Sequence, residues 1–441
     1  MSGNAVMNAS AAIEVDVVVV GGGPAGVSAA VEAARQGQAV ALAEGGPIGG
    51  RALHATMVPW RLLEREVDVD PKGAFERAKE RLRAVQALQE ERWSLRLEDA
   101  GVERLIGRAR FTGAHALTLE DGRVVTFDRA VVAAGAEARQ LDGAAPDGAR
   151  VLRPDDLFGL DALPDELVVV GGGAAGAELV DSLSRTPRTI TWVMDEVGLL
   201  PAFDRELAEA LGDVVMERGV KLVHGKRPER VDLVDGGASV TLQGGNRYQA
   251  PTVVVAIGSR PRTAGLGLDA LGLDGLTVDA SCRTSVAHVF AAGECTGRAH
   301  SSAAAEAMGR CAGLGAAGLE ATYDPATVPR VARTRPEIAQ VGATPEAVAG
   351  KEVAFRSLRF EETLAGLLDE VGERDDRKGF VRVVCDSASG AVLGATALGR
   401  GAGEIASAVA LAMRMGVTED ALADVFAASP GALEALTRAA R

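Results

Sequence analysis

Two glycine-rich segments, 150 residues apart, contain the residues of this chain that could bind a nucleotide. Val18–Gly26 reads VVVGGGPAG, and Val168–Gly176 reads VVVGGGAAG. Each has an apolar β-branched run before G-x-G-x-x-G and a helix-forming stretch after it. In this context the glycines allow a tight turn and let the backbone approach a pyrophosphate at a helix N-terminus. One such motif is weak evidence, but two predict a chain that holds two dinucleotides, most simply a flavin and a nicotinamide.

An acidic residue after the second strand of such a unit can accept hydrogen bonds from an adenosine ribose. Glu44 has this position in the first copy, 23 residues after the first glycine of the motif. The same count in the second copy reaches Met194, and Asp195 and Glu196 follow at once. The displaced acid is still a candidate for the ribose, and the two charges would repel a 2′-phosphate. The second copy therefore favours NADH over NADPH, and it leaves open that no nicotinamide binds.

The bulk composition limits the class of protein. A chain of 441 residues is too long for one ordinary domain, and its 47% of apolar residues can form a sizeable core. A net charge of −14 and an aromatic content of 3% argue against nucleic acid or an anionic membrane surface as a partner. No apolar run is long enough to predict a membrane span, and residues 1–12 lack the features of a signal peptide. We therefore expect a loose N-terminal tail and a cytoplasmic protein.

The four cysteines, Cys282, Cys295, Cys311 and Cys385, are far apart in the sequence. None belongs to a C-x-x-C motif or another close pair, so we expect neither a disulfide framework nor a zinc cluster. The five histidines are also scattered, and no protein-bound metal is expected. Cys295 is expected to be a small buried side chain and not a reactive thiol.

Hydrophobic patterning divides the chain into alternating strand and helix segments. The first dinucleotide unit covers about 15–43, residues 72–98 are predicted to form a charged amphipathic helix, and 103–134 is strand-like. The last part, about 330–441, has no glycine fingerprint and alternates β-rich with helical stretches, including a predicted helix over 419–427. The predicted fold class is α/β, with two Rossmann-like dinucleotide-binding domains and a C-terminal α+β domain.

Several further motifs, taken in order, resemble the pyridine nucleotide–disulfide oxidoreductase family, which includes dihydrolipoamide dehydrogenase, glutathione reductase and mercuric reductase. Gly107–Phe111 resembles the family's G-x-A-x-F strand, and Val132–Gly135 resembles its A-T-G turn. Ala291–Glu294 resembles its A-A-G-D turn, with glutamate in place of aspartate. The sequence from Val328 onward resembles the start of the family's dimerisation domain. The resemblance covers nearly the whole chain.

The resemblance implies domains, cofactors and partners. It implies an FAD-binding domain in two parts, residues 1–150 and 256–326. Between these parts it implies a nicotinamide domain, residues 151–255, and at the C-terminus a dimerisation domain, residues 327–441. A homodimer follows, with a small molecule as electron acceptor or substrate. The residues that it places against FAD are Gly21, Gly23, Pro24, Ala25, Gly26, Glu44, Gly50, Arg51, Ala109, Ala134, Gly135, Gly293 and Glu294. The residues that it places at the nicotinamide site are Gly171, Gly173, Gly176, Glu178 and Asp195.

The loop that should carry the redox disulfide departs from the family pattern. The family has G-G-T-C-x-x-x-x-C-x-P-x-K, whereas residues 49–61 read GGRALHATMVPWR. The paired glycines and Pro59 fix the register, so Ala52 and Met57 stand at the two cysteine positions. Neither side chain can form a thiolate or a disulfide, which excludes dithiol exchange at this loop.

The family's acid–base histidine is also missing. Its H-P-x-x-x-E motif reads SPGALE here, with Ser429 in place of the histidine and Glu434 as the acid. Serine does not titrate near neutrality and cannot replace a general base. Candidate catalytic residues are His54, in the remodelled loop, and Glu434, which would enter the partner's site in a family-type dimer. His54 is also a candidate for capping a helix turn without any catalytic role, and Arg61 replaces the family lysine that pairs with the acid here numbered Glu178.

Three functional interpretations remain from the sequence. The leading one is an FAD enzyme in which NAD(P)H reduces the flavin and the flavin reduces a small external acceptor, such as a quinone. The second is a flavoenzyme that acts directly on an organic metabolite without nicotinamide turnover, for which Met194 is the supporting feature. The third is a redox-silent, flavin-stabilised binding protein, which the joint loss of disulfide and histidine would allow.

Overall fold

The computed structural model describes residues 12–371 and 379–441. Residues 1–11, which include nearly all of the predicted loose tail, lie outside the described residues. The described chain groups into two compact units. The first unit contains residues 12–57, 83–137 and 259–323, and the second contains 58–82, 138–258 and 324–441 apart from the gap.

Helices and strands are numbered here in chain order. The α-helices are α1 (Pro24–Arg35), α2 (Gly50–His54), α3 (Met57–Val69), α4 (Ala74–Asp99), α5 (Ala174–Ser184), α6 (Arg205–Glu217), α7 (Ser302–Ala316), α8 (Leu364–Val371), α9 (Ala402–Arg414), α10 (Glu419–Ala423) and α11 (Ala432–Ala439). Short 3-10 helices cover Pro154–Gly159, Leu268–Leu271, Glu294–Thr296, Pro325–Thr327 and Phe360–Glu362. No helix among the described residues is long and apolar enough to cross a membrane.

The first unit is built on a seven-stranded sheet in the order β3-β2-β1-β6-β5-β4, with β18 also paired to β6. Its strands are β1 (Ile13–Val20), β2 (Val40–Glu44), β3 (Glu103–Ile106), β4 (Ala109–Gly113), β5 (Ala116–Leu119), β6 (Val124–Val132) and β18 (Val289–Ala291). The long strand β6 pairs with antiparallel β5 along its first half and with parallel β18 along its second half. A two-stranded sheet joins β7 (Ala136–Ala138) and β17 (Ser259–Pro261).

The second unit contains three sheets. A parallel sheet has the order β12-β11-β10-β16-β9, an antiparallel sheet the order β15-β14-β13-β8, and a C-terminal antiparallel sheet the order β19-β20-β23-β22-β21. The strands are β8 (Asp142–Gly143), β9 (Val151–Leu152), β10 (Glu166–Val170), β11 (Thr189–Val193), β12 (Lys221–Val223), β13 (Pro228–Val234), β14 (Gly237–Leu242), β15 (Arg247–Ala250), β16 (Thr252–Val255), β19 (Arg330–Ala332), β20 (Ile338–Gly342), β21 (Val353–Arg359), β22 (Phe380–Asp386) and β23 (Val392–Leu398). The predicted α/β fold class is confirmed.

Strand register in the first unit explains how distant motifs meet. Val132 of β6 lies opposite Val20 of β1 on one side and Ala291 of β18 on the other. Val20 in turn lies opposite Ala43 of β2. Because the carboxyl ends of parallel strands lie at one edge of a sheet, the turns that follow these strands gather there, where open α/β sheets bind ligands.

Helix α7 packs closely on α1 because both helices present small residues at the contact. A Cβ added at Gly309 would lie 2.2 Å from the Ala25 carbonyl oxygen, and one at Gly313 would lie 2.5 Å from that of Ala29. Any side chain at either position would push the helices apart.

The predicted charged helix over 72–98 is confirmed as α4. The predicted helix over 419–427 is too long, because α10 ends at Ala423. Val425 and Phe426 beyond it are 50% and 93% exposed. Without a buried apolar face, that stretch gains too little from packing to continue the helix.

Candidate functional site

The first glycine turn is held on both sides by backbone. The N–H of Gly21 donates to the Ala43 carbonyl (2.8 Å), and the N–H of Ala133 donates to the Val20 carbonyl (2.8 Å). Gly21 has φ +115°, and a Cβ there would lie 2.3 Å from the Ala133 oxygen. The neighbouring strands thus leave room only for glycine at this turn.

The N-terminus of α1 presents an open face. A Cβ added at Gly23 would meet no atom within 4 Å, and no side chain caps the helix there. Pro24, Ala25 and Gly26 form the first turn of α1, and the N–H groups of Ala25 and Gly26 lack partners within the helix. These free N–H groups and the helix dipole fit a pyrophosphate.

Glu44, the last residue of β2, is a buried carboxylate with one free oxygen. It is 1% exposed, and its Oε1 accepts from the Arg104 Nε (2.9 Å). Its Oε2 is buried and has no hydrogen-bond partner in the described part of the chain. A buried acceptor left without a donor is unfavourable, so this oxygen fits the hydroxyl groups of an adenosine ribose. The present residues therefore fit FAD at both its pyrophosphate and its ribose.

Sequence reasoning missed Arg104. It lies on β3, the strand next to β2, and it is 60 residues from Glu44. The sequence contains no signal for this pair, because the contact depends on which strand adds to that edge of the sheet. The guanidinium is the counterion of this buried carboxylate.

The loop after β2 returns to the glycine turn. The N–H of Gly49 donates to the Gly22 carbonyl (2.8 Å), and a Cβ added at Gly50 would lie 3.4 Å from the Gly23 Cα. Arg51 follows, and its Nη1 lies 3.5 Å from the Glu294 Oε2. The longer acid at position 294 thus meets a cation that replaces the family's threonine, at the edge where β6 and β18 end.

The other residues that the resemblance assigns to FAD lie in the same unit. Ala134 and Gly135 follow β6, and Gly293 follows β18 with φ +82°. Ala109 begins β4, two residues after Gly107, whose N–H donates to the Glu44 carbonyl (2.9 Å).

The loop without cysteines forms two helices. Ala52 lies in α2, and Met57, the first residue of α3, is 46% exposed with its Sδ 3.5 Å from the Ser302 Oγ. All four cysteines of the chain are buried elsewhere. Cys295, the one beside a flavin motif, is 1% exposed, and burial raises the pKa of its thiol to about 11. It is the buried side chain that was predicted and not a thiolate at neutral pH.

His54 is tied to its own loop. Its Nε2 lies 2.9 Å from the Ile48 carbonyl and 3.4 Å from the Glu90 Oε1. A carbonyl oxygen only accepts, so Nε2 carries the hydrogen of this bond. The bond to Ile48 ties the last residue of α2 to the loop that precedes this helix.

The second glycine turn, in the second unit, repeats the backbone hydrogen bonds of the first. The N–H of Gly171 donates to Val193 (2.8 Å), and that of Ala256 donates to Val170 (2.7 Å). A Cβ added at Gly176 would lie 2.2 Å from the Gly171 oxygen. One added at Gly173, at the N-terminus of α5, would meet no atom within 4 Å. The second turn is therefore also shaped for a pyrophosphate.

Met194 occupies the position that corresponds to Glu44. Val170 lies opposite Val193, and Met194 comes next, just as Glu44 follows Ala43 opposite Val20. Met194 is 2% exposed, and its Cγ would lie 3.1 Å from a Cβ added at Gly172. A thioether is a weak acceptor, so this position lacks the carboxylate that would bind a ribose.

Asp195 is held by the loop that follows β11. Its Oδ1 accepts from the N–H groups of Val197 (3.1 Å) and Gly198 (3.4 Å). The same loop turns back so that the N–H of Leu200 donates to the Gly172 carbonyl (2.7 Å). One carboxylate oxygen of Asp195 is therefore already hydrogen-bonded within its own turn.

Glu178, in α5, belongs to a charged cluster within the second unit. Its Oε2 lies 3.7 Å from the Arg61 Nη2, and its Oε1 accepts from the Arg333 N–H (2.8 Å). Arg61 also pairs with Glu64, which sequence reasoning missed. Burial raises the pKa of both Glu178 and Glu64, and Arg61 opposes the rise at each. The Arg61 guanidinium is therefore the shared counterion of the Glu64 and Glu178 carboxylates.

Ser429 and Glu434 are bonded to each other. The Ser429 Oγ donates to the Glu434 Oε2 (2.7 Å), and the other oxygen of Glu434 lies 3.3 Å from the Arg438 Nη1. Both carboxylate oxygens therefore have partners close by in the sequence.

Two dinucleotide turns of this geometry in one chain define a class of protein, the oxidoreductases that hold FAD together with a nicotinamide-binding domain. The chain belongs to the pyridine nucleotide-disulphide oxidoreductase family. The family model matches residues 15–309, and the model of the family's dimerisation domain matches residues 328–440. The resemblance inferred from the motifs is therefore confirmed, and the chain is an FAD-dependent oxidoreductase.

Similar proteins cover almost the whole chain. An NAD(P)H dehydrogenase (quinone) of Mycobacterium tuberculosis is 32% identical over 96% of this chain and 93% of its own length. A dihydrolipoyl dehydrogenase of Chlorobaculum tepidum is 30% identical over 97% of each chain. The crystal structure of LpdA from M. tuberculosis is 30% identical and superimposes with a TM-score of 0.88 over 96% of this chain and 99% of its own.

Proposed function

We propose that this chain takes electrons from NAD(P)H through FAD and delivers them directly to a small external acceptor such as a quinone. The single observation that supports this most is the loop in which Ala52 and Met57 replace the redox cysteines. A flavin without an adjacent disulfide has no internal dithiol to reduce, so its electrons must leave to an acceptor from solution. That one similar protein is named an NAD(P)H dehydrogenase (quinone) agrees with the proposal.

The chain's own residues bind and orient the cofactor. FAD, when bound, supplies the two-electron chemistry. The N-terminus of α1 would bind its pyrophosphate, and the free Oε2 of Glu44 would bind its ribose. Arg51 and Glu294 would lie beside the flavin end of the cofactor, with Glu294 held by the guanidinium. No thiol of this site takes part, because the cysteine beside it is buried and protonated.

We propose NADH as the reductant. The two acids that follow β11, Asp195 and Glu196, would repel the 2′-phosphate of NADPH. Met194 removes the usual ribose acceptor, so nicotinamide binding would depend mainly on the N-terminus of α5. We therefore expect a weak site with a high KM for NADH.

We propose that the C-terminal domain makes a homodimer. Several apolar side chains of this region are exposed in the single chain: Leu411 (63%), Met415 (72%), Phe426 (93%) and Leu433 (42%). Exposed apolar side chains in this number favour association.

Anaerobic flavin bleaching by NADH and by NADPH, followed by mixing with acceptors, tests the proposal. The acceptors are a benzoquinone, a naphthoquinone, lipoamide and glutathione disulfide. We expect rapid bleaching by NADH, reoxidation by at least one quinone, and no turnover with either disulfide. Turnover of glutathione disulfide or lipoamide would refute the non-disulfide assignment.

Met194 favours a second candidate, a flavoenzyme that acts on an organic metabolite without nicotinamide turnover. A buried thioether at the ribose position is the observation on which it rests. Failure of both NADH and NADPH to bleach the flavin at millimolar concentration would favour this candidate over the first.

A further inference from the structure

A pocket of the first unit, away from the glycine turn, is lined by three arginines. It has a volume of about 310 Å³, and the C-terminal ends of α1 and α4 form its walls. Arg35 is the last residue of α1, and Arg92 and Arg96 lie one turn apart on α4. The other lining residues are Leu95, Asp99 and Ala100. The side chains of this arginine pocket therefore bring three positive charges and one negative charge together.

The three guanidinium groups have no counterion. No side-chain hydrogen bond or ion pair joins them to any other group that the structure describes. Elsewhere the chain pairs its arginines with acids, as in Arg104 with Glu44 and Arg77 with Glu66. With 61 acidic and 47 basic residues, the sequence has more than enough carboxylates to do the same here. The arginine pocket is therefore an unneutralised positive site on an acidic protein.

Helix stabilisation alone does not account for this arrangement. A helix C-terminus favours a nearby cation, but it carries only about half a negative charge. Two such ends and Asp99 do not neutralise three guanidinium groups, and like charges four residues apart on α4 repel each other. Glu32, one turn before Arg35, is already paired with Arg310 (3.3 Å). A bound anion would supply the missing charge and relieve the repulsion.

We propose that the arginine pocket binds a small phosphate-bearing anion. Planar guanidinium groups donate pairs of N–H bonds to phosphate oxygens, which favours phosphate over a monovalent ion such as chloride. Pockets for small molecules begin at about 300 Å³, so the volume admits a phosphate group with a small organic part. Leu95, which is 49% exposed, offers that part an apolar wall. Free phosphate and a small organic phosphate share this chemistry.

The arginine pocket is separate from the proposed FAD site, and its arginines project from an anchored helix. Helix α1 runs from Pro24 at the glycine turn to Arg35 at the pocket, so its two ends are roughly 17 Å apart. On α4, the Ser94 Oγ accepts from the Arg104 Nη1 (2.8 Å), which ties this part of the helix to β3. A fixed helix loses little freedom when a ligand binds, which favours affinity.

Isothermal titration calorimetry of the FAD-loaded protein tests the proposal, with inorganic phosphate, glucose 6-phosphate and glucose as probes. We expect both phosphate compounds to bind and glucose, which lacks the charge, not to bind. Tighter binding of glucose 6-phosphate would identify an organic phosphate as the ligand, and tighter binding of inorganic phosphate would identify the free ion; either result supports the site. Failure of both compounds to bind at millimolar concentration would overturn the proposal.

Two variants assign the binding to the arginine pocket. The double variant Arg92→Gln, Arg96→Gln should weaken phosphate binding by roughly 10- to 100-fold. Arg83→Gln removes an exposed arginine from the same helix outside the pocket, and it should leave the binding nearly unchanged.

Stability separates a binding role from a structural one. The double variant should need at least as much urea to unfold as the unaltered protein, because it removes two charges that repel each other and have no partner. Unchanged phosphate binding in the double variant would place the anion elsewhere, for example at the N-terminus of α5, and would overturn the proposal. Equal weakening by Arg83→Gln would show a general effect of charge and would also overturn it.

Discussion

Replacing Glu44 by glutamine tests the assignment of the first dinucleotide turn. The amide has nearly the same shape as the carboxylate, so the Glu44→Gln variant should keep the packing at the end of β2. It removes the negative charge that binds Arg104 through Oε1 and that would accept a ribose hydroxyl through Oε2. The substitution therefore separates charge from shape at this position.

The expected loss of FAD affinity follows from the free oxygen. A hydrogen bond to a charged group contributes about 1.5–3 kcal/mol, and each 1.4 kcal/mol changes a dissociation constant tenfold. Loss of the charge at Oε2 should therefore raise the Kd for FAD by roughly 10- to 150-fold. The variant should also lose about 1–3 kcal/mol of unfolding free energy, because the Arg104 guanidinium loses its counterion.

Glu66→Gln provides a matched control. Glu66 is also a carboxylate of 1% exposure, and it pairs with Arg77 (2.9 Å) and with Arg81. It lies in the second unit and not at a glycine turn, so its neutralisation should lower stability by a similar amount. The Kd for FAD should stay within about threefold of that of the unaltered protein.

The assay titrates FAD into apoprotein and follows quenching of flavin fluorescence, with urea unfolding measured on the same samples. A folded Glu44→Gln variant that binds FAD as tightly as the unaltered protein would refute the ribose assignment. Equal losses of FAD affinity in Glu44→Gln and Glu66→Gln would show that general destabilisation, and not the ribose contact, causes the effect.

Three further predictions concern redox stoichiometry, assembly and pH. Anaerobic dithionite titration of protein with fully reduced cysteines should end after one two-electron equivalent per FAD, without thiolate-to-flavin absorption, because Ala52 and Met57 replace the disulfide; uptake of a second equivalent would contradict the alignment of this loop. Phe426→Asp should sediment as a monomer at micromolar concentration where the unaltered chain is a dimer, because a charge would replace a side chain that is 93% exposed in the single chain; a monomeric unaltered chain would contradict the proposed assembly. Burial opposes ionisation of Asp147, but N–H donors from Val151, Ala149 and Arg150 outweigh it and lower the pKa to about 2. Since this folded-state pKa is below the ordinary value, the stabilisation is present above about pH 4 and disappears as the pH falls towards 2. Asp147→Asn should therefore reduce the unfolding free energy by about 1 kcal/mol at neutral pH, after allowance for solvent screening, and have little effect near pH 2; urea titrations at both pH values measure the difference.

Much of the fold could be predicted because its signals are local. A buried β-branched run followed by three spaced glycines specifies strand, turn and helix within about ten residues, and both copies form as expected. The long helix α4 follows from its apolar spacing. The predicted helix over 419–427 failed at Ala423, because the sequence pattern did not show that Val425 and Phe426 would have no buried surface to pack against.

The site was predictable only in part. Counting residues along the sequence placed Met194 at the position equivalent to Glu44. The strand register agrees, because in both units the first and second strands are parallel and pair at equivalent residues. The partners of the charged groups were not predictable. Arg104 reaches Glu44 through the order of strands, and Glu64 shares Arg61 with Glu178 through the packing of α3 beside α5.

The sequence by itself determined that the chain has two dinucleotide turns and that it lacks the redox cysteines and the acid–base histidine. These features depend only on residue types and on separations of a few residues, and no fold could restore a thiol at Ala52 or Met57. Only the tertiary structure decided which distant groups meet, as in the pairs Arg51–Glu294 and Arg104–Glu44. Such contacts depend on strand order, register and helix packing. These are set by interactions among residues far apart in the chain, so no short sequence pattern reveals them.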